Sequence, residues 1–447
     1  MKFFHQILSV IVIVTIVLAS LFSSAGLVYG MENIDQFERS YLSENLKNIA
    51  KFYAPKNQGL KYFLLPDSAD LKNIPTDPNN PLTSEKIRLG QFLFHETALS
   101  INPINAKHWQ QSSCASCHFA QAGFRSNLKQ ALGVGGLGWN QDRHQDSQVF
   151  ATEVDKQNIL TPSVLNSAYQ NVTLWDGRLG VTGPNSKEAL VQEFDVNRFG
   201  FDGLETQAID AMNVHHLGTA AIASIPRYQE LFAQAFPDRP YVKAEVEDLK
   251  RTGMAIAAYE RTLLPNQSPF QKWLKGDEQA MSQQELRGAI VFFESSCIHC
   301  HTGPNLASQA FYSVGFADHP DDFSGLNLGR GTITKRARDD FKFKVPQLYN
   351  LADSSPHGHG ASFKSLREVV EYFNRGHPQK MEAFYSGNLS VWFRPLHLTQ
   401  QQIADLTVFL ETGLRDPNLM RYVPEALPSG LCFPNNDPES RRQLNCP

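Results

Sequence analysis

Two pentads constrain this chain more than anything else in it: Cys114-Ala-Ser-Cys117-His118 and Cys297-Ile-His-Cys300-His301. Cys-x-x-Cys-His is the attachment signal of a c-type haem. Two thiols must reach the two vinyl groups on one porphyrin edge, and the adjacent imidazole must fall beneath the iron as proximal ligand. A chain of 447 residues with 6 cysteines and 14 histidines does not make that order twice by accident. A redox Cys-x-x-Cys or a zinc knuckle would not call for a histidine directly after the second thiol. The pentads therefore predict two covalent haems, on Cys114 and Cys117 and on Cys297 and Cys300, with His118 and His301 as iron ligands. His299, inside the second pentad, reads as an exposed loop residue.

The rest of the chain is organised to match. Thr83-Ser84-Glu85 opens a helix through Phe94, just ahead of the first pentad. Ser282 and Glu285 have capping-box spacing and open a helix through Phe293, just ahead of the second. Apolar residues from Ile34 to Phe52 recur near helical spacing, so residues 31–56 read as an amphipathic helix. A Pro/Asp/Asn-rich stretch from Pro66 to Pro81 is a linker by composition. The run Gly133 to Gly138 matches Gly-x-Gly-x-x-Gly, but no β-branched strand precedes it and no apolar helix follows, so it reads as a flexible loop. Helical periods dominate. The predicted fold is mainly α, with two cytochrome c-type haem domains in one chain, residues 83–275 and 276–425, after an extension and linker at 31–82.

Composition excludes more than it assigns. A net charge of −4 carries no basic field for nucleic acid and no polybasic tract for an anionic membrane. Lys2, the apolar run Ile7–Phe22 and the small residues Ser23 to Gly26 read as a secretory signal over residues 1–30, cut near Ala25 or Gly30. The alternative is an uncleaved anchor, for which the run is shorter than the ~20 residues of a spanning helix. Export to the periplasm as a soluble protein is the expectation. Cys432 and Cys446 remain once haem attachment has used four thiols, and in an exported chain they are expected to pair. Such a bridge within residues 426–447 would chiefly pin the tail to itself.

The order of motifs resembles the bacterial di-haem cytochrome c peroxidase family, which includes di-haem enzymes that oxidise tryptophans of a partner protein. The matching stretches begin with Leu89-Gly-Gln-Phe-Leu-Phe-His95, the first pentad, Thr161-Pro-Ser-Val-Leu-Asn166 and Leu174-Trp-Asp-Gly-Arg178. Ala257-Ala-Tyr-Glu-Arg-Thr-Leu263, the second pentad, Phe343-Lys-Val-Pro346 and Leu366-Arg-Glu-Val-Val-Glu371 complete them. The resemblance implies that the N-terminal haem, on His118, meets peroxide. The C-terminal haem, on His301, handles electrons. It places Trp175 between the haems and Gln207 in the peroxidatic pocket.

Elsewhere the sequence departs from the family. The acid–base Glu expected about ten residues after that glutamine is missing, and in Asn213-Val-His-His-Leu-Gly218 the nearest residue to its slot is His216. His216 is a candidate proton shuttle, a sixth iron ligand or a surface histidine. About 20 extra residues lie between Gly180 and Gly203. The distal ligand of the second haem would align with Phe373, which cannot ligate; Tyr372, His377 and Met381 lie nearby, and His357 and His359 precede them. Many family members hold a calcium between domains, and the aligned position here is Leu160, with Asn158 two residues away, so Ca2+ stays an open choice. Three functions compete: reduction of hydrogen peroxide with electrons from a small cytochrome c or cupredoxin, oxidation of a partner protein's side chains, and plain electron transfer. The oligomeric state stays open between monomer and homodimer.

Overall fold

The structure is a computed structural model that describes residues 24–238, 246–320 and 326–446. Of the expected signal at 1–30, residues 1–23 lie outside the described residues, and no described helix is long and apolar enough to cross a membrane. In chain order the helices are α1 (Ser24–Tyr53), α2 (Ser84–His95), α3 (Gly203–Val214), α4 (Pro226–Ala235), α5 (Val246–Arg261), α6 (Pro269–Leu274) and α7 (Gln283–Glu294). They continue with α8 (Arg330–Thr334), α9 (Leu366–Arg375), α10 (Met381–Tyr385), α11 (Gln400–Val408) and α12 (Pro438–Gln443). Among the described residues, strands are confined to two short antiparallel pairs, β1 (Gly136–Leu137) with β2 (His144–Gln145) and β3 (Phe311–Tyr312) with β4 (Phe343–Lys344). The mainly helical reading holds.

Two apolar clusters organise these helices. In the N-terminal cluster α2 crosses α5, burying Leu89, Leu93 and Phe94 with Ala255 and Tyr259. In the C-terminal cluster α7 crosses α11, burying Phe292 and Phe293 with Leu406 and Phe409. A glycine sits at each crossing. A Cβ on Gly90 would overlap the Ala255 carbonyl, and one on Gly288 the Asp405 carbonyl. Interiors packed like crystals leave no slack for it, so only glycine lets the backbones approach this closely. The expected caps are formed: Thr83 accepts from the Lys86 amide at the head of α2, and Ser282 and Glu285 close their capping box at α7.

The chain ends are exchanged between the clusters. Leu42, Leu46 and Ala50 of α1 are buried in the C-terminal cluster, and the Trp273 indole donates to Ser43 Oγ at 2.9 Å. Phe270 and Trp273 of α6 also belong there, although the sequence reading put them in the first domain. Leu419 and Tyr422 complete the N-terminal cluster. Cys432 and Cys446 are bonded, with Cα atoms 5.8 Å apart. The tail they close is not pinned merely to itself. Pro434 O accepts from Ser113 and Ser116 hydroxyls at 2.8 and 3.2 Å, Thr97 donates to Cys432 O, and Asp437 accepts from the Gly138 amide. The tail is therefore tied to the first pentad's surroundings as well as to itself.

The glycine-rich run is likewise not a loose loop. The buried Arg143 guanidinium takes the carbonyls of Leu132, Gly133 and Gly138. The segment wraps around a cation, which its composition did not disclose.

Candidate functional site: two haem cradles and the seam between them

Each pentad is folded the same way. Cys114–Ser116 forms a 3-10 turn whose Ser113 amide donates to Ser116 Oγ, and Ser296–His299 forms one capped by Ser295. The amide of His118 donates to Cys114 O at 3.1 Å and that of His301 to Cys297 O at 2.9 Å. This turn brings both thiols and the imidazole to one side of a tight loop. The Nδ1 of His118 then meets Phe124 O at 3.1 Å, and that of His301 meets Leu306 O at 3.0 Å. Phe124 and Leu306 both take positive φ, 55° and 46°, to present those carbonyls. A backbone acceptor on Nδ1 fixes the tautomer that leaves Nε2 as the metal-facing nitrogen. Burial pushes both imidazoles down to about 4, so both are neutral, the form that ligates.

A second repeat supports each cradle. Thr161-Pro-Ser-Val-Leu-Asn166 and Val345-Pro-Gln-Leu-Tyr-Asn350 end alike. Asn166 and Asn350 take left-handed φ of 59° and 56°. Their amides donate to Leu263 O and Leu414 O, at the ends of the α5 and α11 segments. The spacing Pro-x-x-x-Asn, repeated, was the signal for this pair, and it went unread.

The four pentad cysteines form no disulfide. Buried donors near both cradles also lack partners, among them Trp139 Nε1, Thr161 Oγ1 and Arg125 Nε on the first side and Asn305 Nδ2 on the second. Buried donors are almost always satisfied. Free thiols, neutral imidazoles and orphaned donors together fit a haem, whose polar edge supplies acceptors.

Trp175 is tied to residues from both halves of the chain. Its indole donates to Leu160 O at 2.7 Å, its own carbonyl accepts from the Lys344 amide at 2.8 Å, and its ring meets the edge of His359, centroids 6.1 Å apart. His359 stacks on Phe343 at 3.7 Å, bonds Asp318 at 3.1 Å and accepts the Leu160 amide at its carbonyl. Trp175 thus touches the segment leading to the first repeat and the segment leading to the second. Leu160 is buried and offers no side-chain oxygen, and Asn158 is exposed, so this position does not fit a calcium ion.

The remaining predicted residues separate into placed and displaced. Gln207 is half-buried on α3, and its amide makes no hydrogen bond among the described residues. His216 sits just past α3 with φ 59°, held through its carbonyl by the Asn102 amide. Its neighbour His215, which the sequence reading passed over, makes the specific contact: Nδ1 to Asp155 Oδ2 at 2.8 Å. Burial works against a charged His215, but the Asp155 hydrogen bond and the charges of Asp155 and Asp210 outweigh it and hold the imidazole above its ordinary value. The His215 charge reaches His118, and the Asp155 charge reaches Cys117.

On the second side, Tyr372 is buried with Phe363 and Phe393, its hydroxyl donating to Val314 O at 2.6 Å. His357 and His359 are buried too. Met381 is 45% exposed at the start of α10, and His377 is exposed, so the structure presents neither to a buried iron. His299 is exposed as expected, with its ring stacked on Trp392 at 3.7 Å.

A fold with two Cys-x-x-Cys-His turns, each with a buried neutral imidazole held by a backbone carbonyl, defines a class, the di-haem c-type cytochromes. The comparisons narrow it. The family described as di-haem cytochrome c peroxidase matches residues 84–279. The chain is 27% identical over 350 residues to the methylamine utilization protein MauG of Methylorubrum extorquens, covering 77% of this chain and 83% of that one. It is 27% identical over 292 residues to the cytochrome c551 peroxidase of Pseudomonas aeruginosa, covering 65% and 72%. Its fold is similar to that of a MauG-like protein associated with microbial copper homeostasis, with TM-score 0.59 and 24% identity over 82% of this chain and 96% of the other. It is also similar to that of the diheme peroxidase BthA of Burkholderia thailandensis, with TM-score 0.51 and 18% identity over 78% and 90%. The match over residues 84–279 and these relatives make the chain similar to the di-haem cytochrome c peroxidases and indicate an oxidoreductase of that type.

Proposed function

We propose that this protein reduces hydrogen peroxide to water in the periplasm, taking two electrons, one at a time, from a small cytochrome c or cupredoxin. The electrons enter at the cradle of His301 and pass by way of Trp175 to that of His118, and two protons complete the two waters. Each haem, when bound, supplies an iron that changes by one electron and, where a coordination position is open, a site for peroxide.

The chain's own residues supply the rest. Phe124 O and Leu306 O hold the proximal imidazoles in one tautomer. Trp175, hydrogen-bonded at both its indole and its carbonyl, keeps an oxidisable ring between the cradles. The observation that carries the reading is the His215–Asp155 pair. The pair holds the His215 proton more firmly than a free imidazole would, within electrostatic reach of the first pentad, and an electron carrier has no use for such a group. We assign the proton delivery to His215, with Asp155 orienting it, in place of the His216 suggested by alignment.

Steady-state assay with peroxide and a reduced small cytochrome tests the reading. Turnover is expected, and Trp175→Phe is expected to slow it while both haem spectra persist. Bound haem with no peroxide consumption would sink it. The second reading, oxidation of a partner protein's side chains, rests on the relatives named for methylamine utilization. It gains if peroxide is consumed without any dependence on the small cytochrome.

A further inference from the structure

Seven arginine and lysine side chains are buried among the described residues. A buried cation without an anion is costly, so such groups are normally paired. Five of the seven obey: Arg261 pairs with Glu205, Arg251 with Asp248 and Arg143 with Asp437, while carboxylate charges reach Lys86 and Arg330. Arg125 and Lys344 do not. Arg125 gives one nitrogen to the Pro356 carbonyl and leaves Nε with no partner. The Lys344 ammonium reaches only the neutral Gln170 amide oxygen. Burial alone acts on both, with no acid in reach, pushing Arg125 down to about 10 and Lys344 to about 7. The titratable neighbour of Arg125 is His357, a base, which burial holds at about 3.

Their positions are as telling as their missing partners. Arg125 follows Phe124, whose carbonyl holds the His118 ring, and pairs its backbone with Phe119 just after the first pentad. Lys344 lies two residues before Pro346, whose backbone meets the His301 ring. Both also cross the seam, Arg125 to Pro356 and Lys344 to Gln170.

We propose that Arg125 and Lys344 are the carboxylate-binding residues of the two haems, Arg125 for the group on Cys114 and Cys117 and Lys344 for the group on Cys297 and Cys300. The anion missing from each cation is then a carboxylate of the cofactor itself. The inference rests on the di-haem reading. It adds that both carboxylate edges are gathered at the seam beside Trp175, where each cation also favours the reduced state of its own haem.

The test uses the full-length holoprotein and measures haem per chain by pyridine haemochrome and the midpoint potential of each haem by spectroelectrochemistry. Fewer than two haems in the wild type would break the di-haem reading beneath the proposal. With two haems present, Lys344→Met should shift the C-terminal haem about tenfold toward its ferric state, a fall of about 59 mV for one electron, and move the N-terminal haem less. Arg125→Gln should do the reverse. The charge-keeping variants Lys344→Arg and Arg125→Lys should stay near wild type. No shift, equal shifts at both haems, or the same shift in the charge-keeping variants would overturn the proposal. If Lys344→Met fails to load a haem, loading by Lys344→Arg supports the proposal and failure of both overturns it.

Discussion

The two cradles share a frame and differ in what faces it. Both have a capped helix crossing a second helix at a glycine, the same turn around the thiols, a positive-φ residue presenting a carbonyl to the imidazole, and a Pro-x-x-x-Asn segment with a left-handed asparagine. Beside the first lie a charged pair, His215 and Asp155, and a disulfide-closed tail. Beside the second lies a cluster of Tyr372, Phe363 and Phe393, packed with Phe316 and Phe373. The frame answers the demands of attachment, which are the same for any c-type haem. The surroundings are free to differ, and they set a carboxylate–imidazole pair beside one cradle and apolar packing beside the other.

That contrast can be broken experimentally, the severest test first. His118→Gly is expected to abolish peroxide turnover while the C-terminal haem still accepts electrons from dithionite. The same change at His301 should spare peroxide binding at the first haem, seen by its spectrum. If either variant loses both signals, the cradles are not separable. Next, His215→Ala should cost roughly 10²–10⁴ in turnover, the usual range for a general acid–base, whereas His216→Ala should cost far less.

The pH profile sharpens the same point. His215 is held above the ordinary imidazole value of 6.5, so it keeps its proton below that value and loses it as the pH rises through the raised one. Turnover that needs the proton therefore falls on the alkaline side. Asp155→Asn should move that fall to lower pH, and an unmoved limb would remove the pair from the mechanism. The charge pair's stabilisation is lost over the same alkaline range, which thermal melts at two pH values can check.

Smaller effects follow on stability. Gly90→Ala and Gly288→Ala should each cost about 1–3 kcal/mol, as overpacking does, in denaturant melts followed at the haem of the altered cluster. Opening the Cys432–Cys446 bridge as Cys432→Ser with Cys446→Ser should cost at most about 3 kcal/mol. Its effect should appear at the N-terminal haem, since Ser113, Ser116 and Thr97 hold the tail. A loss felt equally at the second haem would mean that the tail's docking does not matter.

What could be read from the sequence was what chemistry spells in short range. The pentads, the capped helices before them and the tail bridge all depend on residues close together or on motif order. What could not be read depended on distance. Asp155 and His215 are sixty positions apart, and nothing in either local sequence announces the other. Arg143 organises a glycine run that looked merely flexible, because the carbonyls it collects carry no side-chain signature. Met381 lay near the right position by counting along the chain, yet helix α10 leaves it facing water. The domain boundary followed the order of the two pentads, but Phe270 and Trp273 before it, and Leu419 and Tyr422 after it, pack on the opposite sides.

The exchange of chain ends sets an order of assembly. The first cradle is written early in the chain, yet Leu419, Tyr422 and the tail through Cys446 are part of its walls. A polypeptide emerging from its amino end would have both pentads synthesised before the first cluster has its last wall. Contacts of such long sequence separation form late, because the chain closure they need is entropically expensive. The machinery that joins haem to thiols would therefore meet Cys114 and Cys117 in an open segment, and the carboxyl-terminal tail would shut over a cofactor already in place.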